Sequence, residues 1–218
     1  MWKKSLISLV SLFGVAFMLS SCSAQFPTKI ADDASKISGE DKAYYVGDPG
    51  PAGLIFYDRG RYTTGLAHNW RYLEAAPDDV SGNYIWSSVA VLANTSTEIG
   101  TGQANTDAII AQGGVPNAAK ACADYSKEIG GVTYDDWFLP SKGELHRMYV
   151  GLHADGAGNF AAEEYLSSSE ASASAPWSLH FGDGTPRQMI NKIGLPNPPP
   201  LNTPPQPVYL NIRCIRSL

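Results

Sequence analysis

Apolar residues fall in short blocks between Gly and Pro, a pattern of short strands with few helices. Tyr44-Tyr45-Val46 and Leu54-Ile55-Phe56-Tyr57 read as strands, with Gly47-Asp48-Pro49-Gly50-Pro51 as the turn between them. Trp70-Arg71-Tyr72-Leu73-Glu74 is a third, ended near Pro77. The middle of the chain turns helical. Asn105 to Gln112 predicts a short helix stopped by Gly113-Gly114. Pro116 suits the first position of a second helix, because it lacks only an N–H that would be unpaired there. That helix is expected to run to about Lys127, with Gly130-Gly131 beyond and Ala118, Cys122 and Tyr125 on one face. The third is the clearest. Ser141 and Glu144 are spaced as a capping box, and Leu145, Met148, Tyr149 and Leu152 repeat at i, i+3, i+4 and i+7.

Strands return afterwards, over Tyr165 to Ser169 and Trp177 to Phe181, with Asp183-Gly184 as a hairpin turn. Leu195 to Pro207 holds seven prolines, which excludes a central strand and predicts an extended loop. In Val208 to Ile215 the residues alternate. Val208, Leu210, Ile212 and Cys214 share an apolar side; Tyr209, Asn211 and Arg213 take the other. These elements predict one α+β domain over residues 43–218, with mixed short strands, two or three helices and long loops.

The N-terminus follows a different pattern. Lys3 and Lys4 precede the apolar run Leu6 to Leu19, only 14 residues long. A span needs roughly 20 residues for a ~30 Å hydrocarbon core, so the run suits a signal peptide over residues 1–21. Leu19-Ser20-Ser21-Cys22 resembles the bacterial lipobox. The resemblance implies cleavage before Cys22, lipid on its thiol and acylation of the new amino terminus, hence a membrane as partner through the anchor. Residues 22–42 are small and polar and read as a flexible tether. Ser23 after Cys22 is compatible with sorting to an outer membrane, so the expected location is the bacterial cell envelope.

Processing changes the arithmetic. Removing 21 of the 218 residues leaves 197, and the loss of Lys3 and Lys4 shifts the net charge from −5 to −7. Such a charge disfavours a general nucleic-acid or anionic-membrane binder, either of which would need a basic surface, and polyanionic partners too. Of the 3 Cys, one is the lipid site, and Cys122 and Cys214 remain for a disulfide in an exported, oxidising compartment.

Candidate chemistry is sparse. The four His, His68, His146, His153 and His180, form no H-x-x-x-H pair or zinc-type cluster. Asp135 and Asp136 are adjacent, so one is expected to be buried and the other exposed. Asp78-Asp79 and Glu163-Glu164 read as solvated loop charges. Asp155-Gly156-Ala157-Gly158-Asn159 lacks the ligand density of a calcium loop and reads as a plain turn. No catalytic residue, metal or cofactor is expected. Trp70 and Trp137 read as core; Trp86 and Trp177 lie near Ser-rich loops, where core or edge packing is the favoured role and a platform for stacking on sugar rings the alternative. Trp177, His180, Asp183 and Arg187, around the hairpin turn, form the candidate ligand patch.

Tyr45-Val46-Gly47-Asp48-Pro49-Gly50-Pro51-Ala52-Gly53, Trp70 to Pro77 and Ile99 to Thr106 recur in order with Asp135-Asp136-Trp137-Phe138-Leu139-Pro140-Ser141-Lys142. Ser167-Ser168-Ser169-Glu170 and Ile212-Arg213-Cys214-Ile215-Arg216 complete the set. Together they resemble the Lcl C-terminal domain family of bacterial surface proteins. The resemblance implies a C-type-lectin-like fold, in which a disulfide commonly ties an early helix to the last strand. It also implies an adhesin-like module for an extracellular polysaccharide or protein. An envelope assembly protein without a free ligand is the alternative, and a formylglycine-generating type of enzyme the least favoured.

Overall fold

In the computed structural model, residues 43–60, 70–82, 84–87, 92–113, 117–189 and 210–218 are described. The signal segment, Cys22 and the tether lie outside them, as do His68, Pro116, the proline-rich stretch 195–207, Val208 and Tyr209.

β1 (Leu54–Asp58) and β2 (Tyr72–Ala75) pair antiparallel, and β8 (Ile215–Ser217) pairs with the far side of β2. All four residues of β2 are buried, as befits a central strand. Glu74 is the polar exception. Its Oε2 accepts from the N–H groups of Ala52 and Gly53 at 3.3 and 3.1 Å, and its Oε1 from Arg216 at 2.8 Å. The Gly-Pro turn before β1 exists to reach this carboxylate. A Cβ on Gly50 would lie 2.0 Å from Glu74 Oε2, and one on Gly53 1.9 Å from the Ala75 carbonyl oxygen. Tyr44–Val46 is not a strand. Gly47 N–H donates to the Ile55 carbonyl and Tyr45 N–H to Asp48 Oδ2, which closes a turn instead.

α1 (Gly102–Ala111) begins one turn earlier than the apolar pattern predicts. The Glu144 carboxylate accepts from Gly100 and Gly102 N–H, and a Cβ on Gly102 would lie 2.3 Å from Glu144 Oε2. Glycine therefore serves close approach here rather than a loop. α2 (Ala118–Ala123) is shorter than predicted. Asn117 caps it by accepting from Lys120 N–H at 2.8 Å. Gly130-Gly131 is not a helix stop. With φ of +60° and +80° it turns a hairpin between β3 (Lys127–Ile129) and β4 (Val132–Tyr134). α3 (Lys142–Gly151) carries the expected capping box. Ser141 accepts from Glu144 N–H, and the Glu144 carboxylate from Ser141 N–H at 2.7 Å.

The second three-stranded sheet is β5 (Glu164–Ser172), β6 (Ala175–His180) and β7 (Thr185–Gln188), a meander with the expected turn at Asp183-Gly184. β7 was not evident from its residues, Thr-Pro-Arg-Gln, which are exposed throughout. Two apolar clusters fill the interior. One gathers Trp86, Ile109, Cys122, Trp137, Leu139, Leu166, Ile212 and Cys214. The other lies beneath α3 and includes Phe56, Leu73, Leu145, Met148, Tyr165, Leu179 and Phe181. Both belong to one compact unit, Ala43–Leu218.

A disulfide joins Cys122 on α2 to Cys214, just before β8, with a sequence separation of 92. The alternation expected for the last segment is absent. Ile212, Arg213, Cys214 and Ile215 are all buried, because the segment threads between elements on both sides. Among the described residues no helix is long and apolar enough to cross a membrane.

Candidate functional site

Cross-strand pairing explains what the β5–β6–β7 sheet presents. Glu164 opposes His180, which opposes Thr185; Ser178 opposes Arg187. Directly opposed residues share a face, so Glu164, Ser178, His180, Thr185 and Arg187 stand together. The turn adds Asp183. Gly184 has φ +69°, and a Cβ there would lie 2.6 Å from the Tyr149 ring, so glycine is required twice over. Behind the turn, Phe181 packs on Tyr165, Phe160, Tyr149 and His153 with ring centroids 4.4 to 5.4 Å apart.

Arg187 is the centre of the cluster. It donates to Glu164 Oε2 at 3.1 Å and to Asp183 Oδ2 at 3.0 Å. Ser178 Oγ donates to Glu164 Oε1 at 2.5 Å. Asp183 Oδ1 accepts the Thr185 N–H at 2.9 Å, which, with Arg187 nearby, holds its carboxyl below the usual carboxylate range. His180 Nδ1 lies 3.5 Å from Asp183 Oδ1, within ion-pair reach once the ring is protonated, but without hydrogen-bond geometry. The side chains of Arg187 and Asp183 remain 44% and 48% exposed, so their spare donors and acceptors face water. The cluster offers fixed groups of both signs, able to exchange hydrogen bonds with a polyhydroxylated or zwitterionic ligand. Among the described residues, no group of three His, Cys, Asp or Glu is arranged to hold a metal ion.

Three of the four candidate ligand residues therefore meet: His180, Asp183 and Arg187. Trp177 does not. It lies three residues from His180 on the same strand, hence on the opposite face. There Lys142 Nζ sits 3.5 Å from the centre of its ring. Trp86 is also no platform, being buried, with Nε1 donating to the Ser167 carbonyl at 2.8 Å. Trp137 is core, as its motif suggested, while Trp70 is only half-buried.

Other charges were misplaced by sequence reasoning. Glu164 is not a loop charge but the first residue of β5, ligated as above. Asp79 accepts from Arg213 Nε at 2.6 Å and from the Tyr165 hydroxyl at 2.8 Å. Burial and this carboxylate push the Tyr165 phenol well above its usual range. Asp135 and Asp136 are both exposed, and Asp136 grips Arg216 with both oxygens at 2.6 and 2.9 Å. The Gly158 and Asn159 carbonyls of the glycine turn accept from Arg213, at 2.8 and 3.4 Å.

A second surface had no signal in the spacing. Tyr57 and Trp70 lie with ring centroids 6.4 Å apart. Arg59 stands over Trp70 at 5.0 Å and Arg147 over Tyr57 at 5.7 Å. The register of β1 against the chain leading into β2, and the proximity of α3, had to be known to see it. No known family model matches the chain, and no curated protein matches it.

Proposed function

We propose that the chain is a bacterial envelope lipoprotein anchored through Cys22. On this reading its α+β domain is a C-type-lectin-like module of the Lcl C-terminal type, with an adhesin-like role. The observation that carries the reading is the Cys122–Cys214 link between α2 and the approach to β8, with β8 zipped against β2 near the domain's start. Lectin-like folds tie an early helix and the closing strand in this way, leaving the remaining loops to present a binding surface.

The ligand surface assigned to it is His180, Asp183 and Arg187, supported by Glu164. Ligand hydroxyls would accept from Arg187 and donate to Asp183, replacing water rather than breaking the Glu164 contact. A rigid hairpin suits this task because little ordering entropy is lost on binding. Saccharide is the favoured ligand class.

A glycan array probed with the lipidated protein tests this. Binding that disappears in Asp183→Asn is expected, since that change removes the charge while keeping the shape. A folded protein that binds no saccharide would overturn the assignment and favour the assembly role. The anchor has a separate test: Cys22→Ala should abolish partition into the detergent phase, and unchanged partition would refute lipidation.

A further inference from the structure

Beyond the ligand hairpin, one surface combines three features that seldom meet on a solvated face. Tyr45, Val46 and Val150 are 76%, 47% and 47% exposed, among the most exposed large apolar side chains described. They adjoin: Val46 Cγ1 lies 3.0 Å from where a Cβ on Gly151 would stand, directly after Val150 on α3. One helical turn before Val150, on the same side, is exposed Arg147, which leads through Tyr57 and Trp70 to Arg59. Among the described residues neither arginine pairs with a carboxylate, although the domain as a whole is acidic. Apolar residues, aromatic rings and unpaired arginines side by side are what a bilayer interface selects.

We infer that this face docks on the anionic lipid surface of the membrane that holds the chain's own anchor. The inference rests on the lipoprotein reading. Its second support is where the preceding chain ends. The segment from Cys22 enters the domain at Ala43, beside Tyr45. Fully extended, it reaches at most about 80 Å. The anchor thus confines the face close to lipid, and a weak patch suffices, because tethering supplies a high effective concentration. Tyr45, Val46 and Val150 would enter the headgroup region, with Arg59 and Arg147 against lipid phosphates.

The test uses the full mature, acylated protein with Val150→Cys carrying a polarity-sensitive dye. With Cys22 acylated and Cys122 bonded to Cys214, the introduced thiol is the one that labels. Lys120→Cys on the exposed side of α2 is the control. Vesicles of phosphatidylethanolamine and phosphatidylglycerol contain a brominated lipid as quencher. Quenching is expected at residue 150 and not at 120. Arg59→Glu with Arg147→Glu should lower the docked-to-free ratio by at least about 25-fold, from about fivefold per arginine near an anionic surface. Protein that floats with the vesicles but shows no quenching at 150 overturns the docking alone. Protein that does not float overturns the anchor, and the docking with it.

Discussion

Arg213 and Arg187 each bind carboxylates, in opposite settings. The Arg213 side chain is 1% exposed. It serves Asp79 at 2.6 Å and the Ala76 and Gly158 carbonyls at 3.1 and 2.8 Å, with the Phe160 ring 4.1 Å away. Arg187 is 44% exposed and serves two carboxylates at the protein surface. A buried guanidinium repays its desolvation only when every donor is used, so its surroundings are built around it. An exposed pair gains little stability in water, so its geometry is free to be used for something else. Position in the fold, rather than pairing chemistry, separates the architectural arginine from the one proposed to meet a ligand.

The first way to break the comparison is next door to Arg213. Replacing Cys122 and Cys214 together by Ala removes a link across 92 residues. The expected loss is about 4–5 kcal/mol on the chain-entropy model, read by urea unfolding without reductant. A loss below about 1 kcal/mol would show that other contacts already hold the closing segment. Arg213→Ala comes next. It strands the carbonyls of Ala76 and Gly158 and leaves Asp79 with only the Tyr165 hydroxyl, at an expected cost of about 3–5 kcal/mol. Arg213→Lys should rescue little of this, because one ammonium cannot reproduce the planar fork.

Much of this interior was legible beforehand, and the failures have physical causes. Ser141 and Glu144 announced a helix start because a capping box is local, set by three residues of spacing. Cys122 and Cys214 announced a bond because, if Cys22 carries lipid, they are the two cysteines left to pair. Asp183-Gly184 announced its turn through glycine's need for positive φ. Gly130-Gly131 carried the same signal but followed a helix, and it was read as that helix's stop. Arg213 was set opposite the apolar side by alternation alone; its burial depends on Asp79, 134 residues away. Of the four residues of the ligand patch, His180, Asp183 and Arg187 come together in space and Trp177 does not. Strand parity alone separates Trp177 from His180, but only once both are known to lie on β6.

A smaller effect sharpens the interior side. Glu144 is fully buried, and burial raises its carboxyl above the ordinary value of 4.5, with the N–H groups of Ser141, Gly100 and Gly102 pulling the other way. The folded state then holds the proton more tightly than the unfolded chain. Stability contributed by the neutral form is full below that value and falls as pH rises through the folded one. In Glu144→Gln this decline is expected to flatten, which unfolding midpoints measured at successive pH values would show. A variant declining as steeply as the parent would assign the slope elsewhere.

The smallest expected change in stability is at Arg187, and it bears most directly on the division between the two arginines. Thermal unfolding and saccharide binding are measured on the same preparations of the parent and Arg187→Ala. An unchanged midpoint with binding abolished is the predicted result. A lowered midpoint, or saccharide binding that survives the substitution, would contradict it.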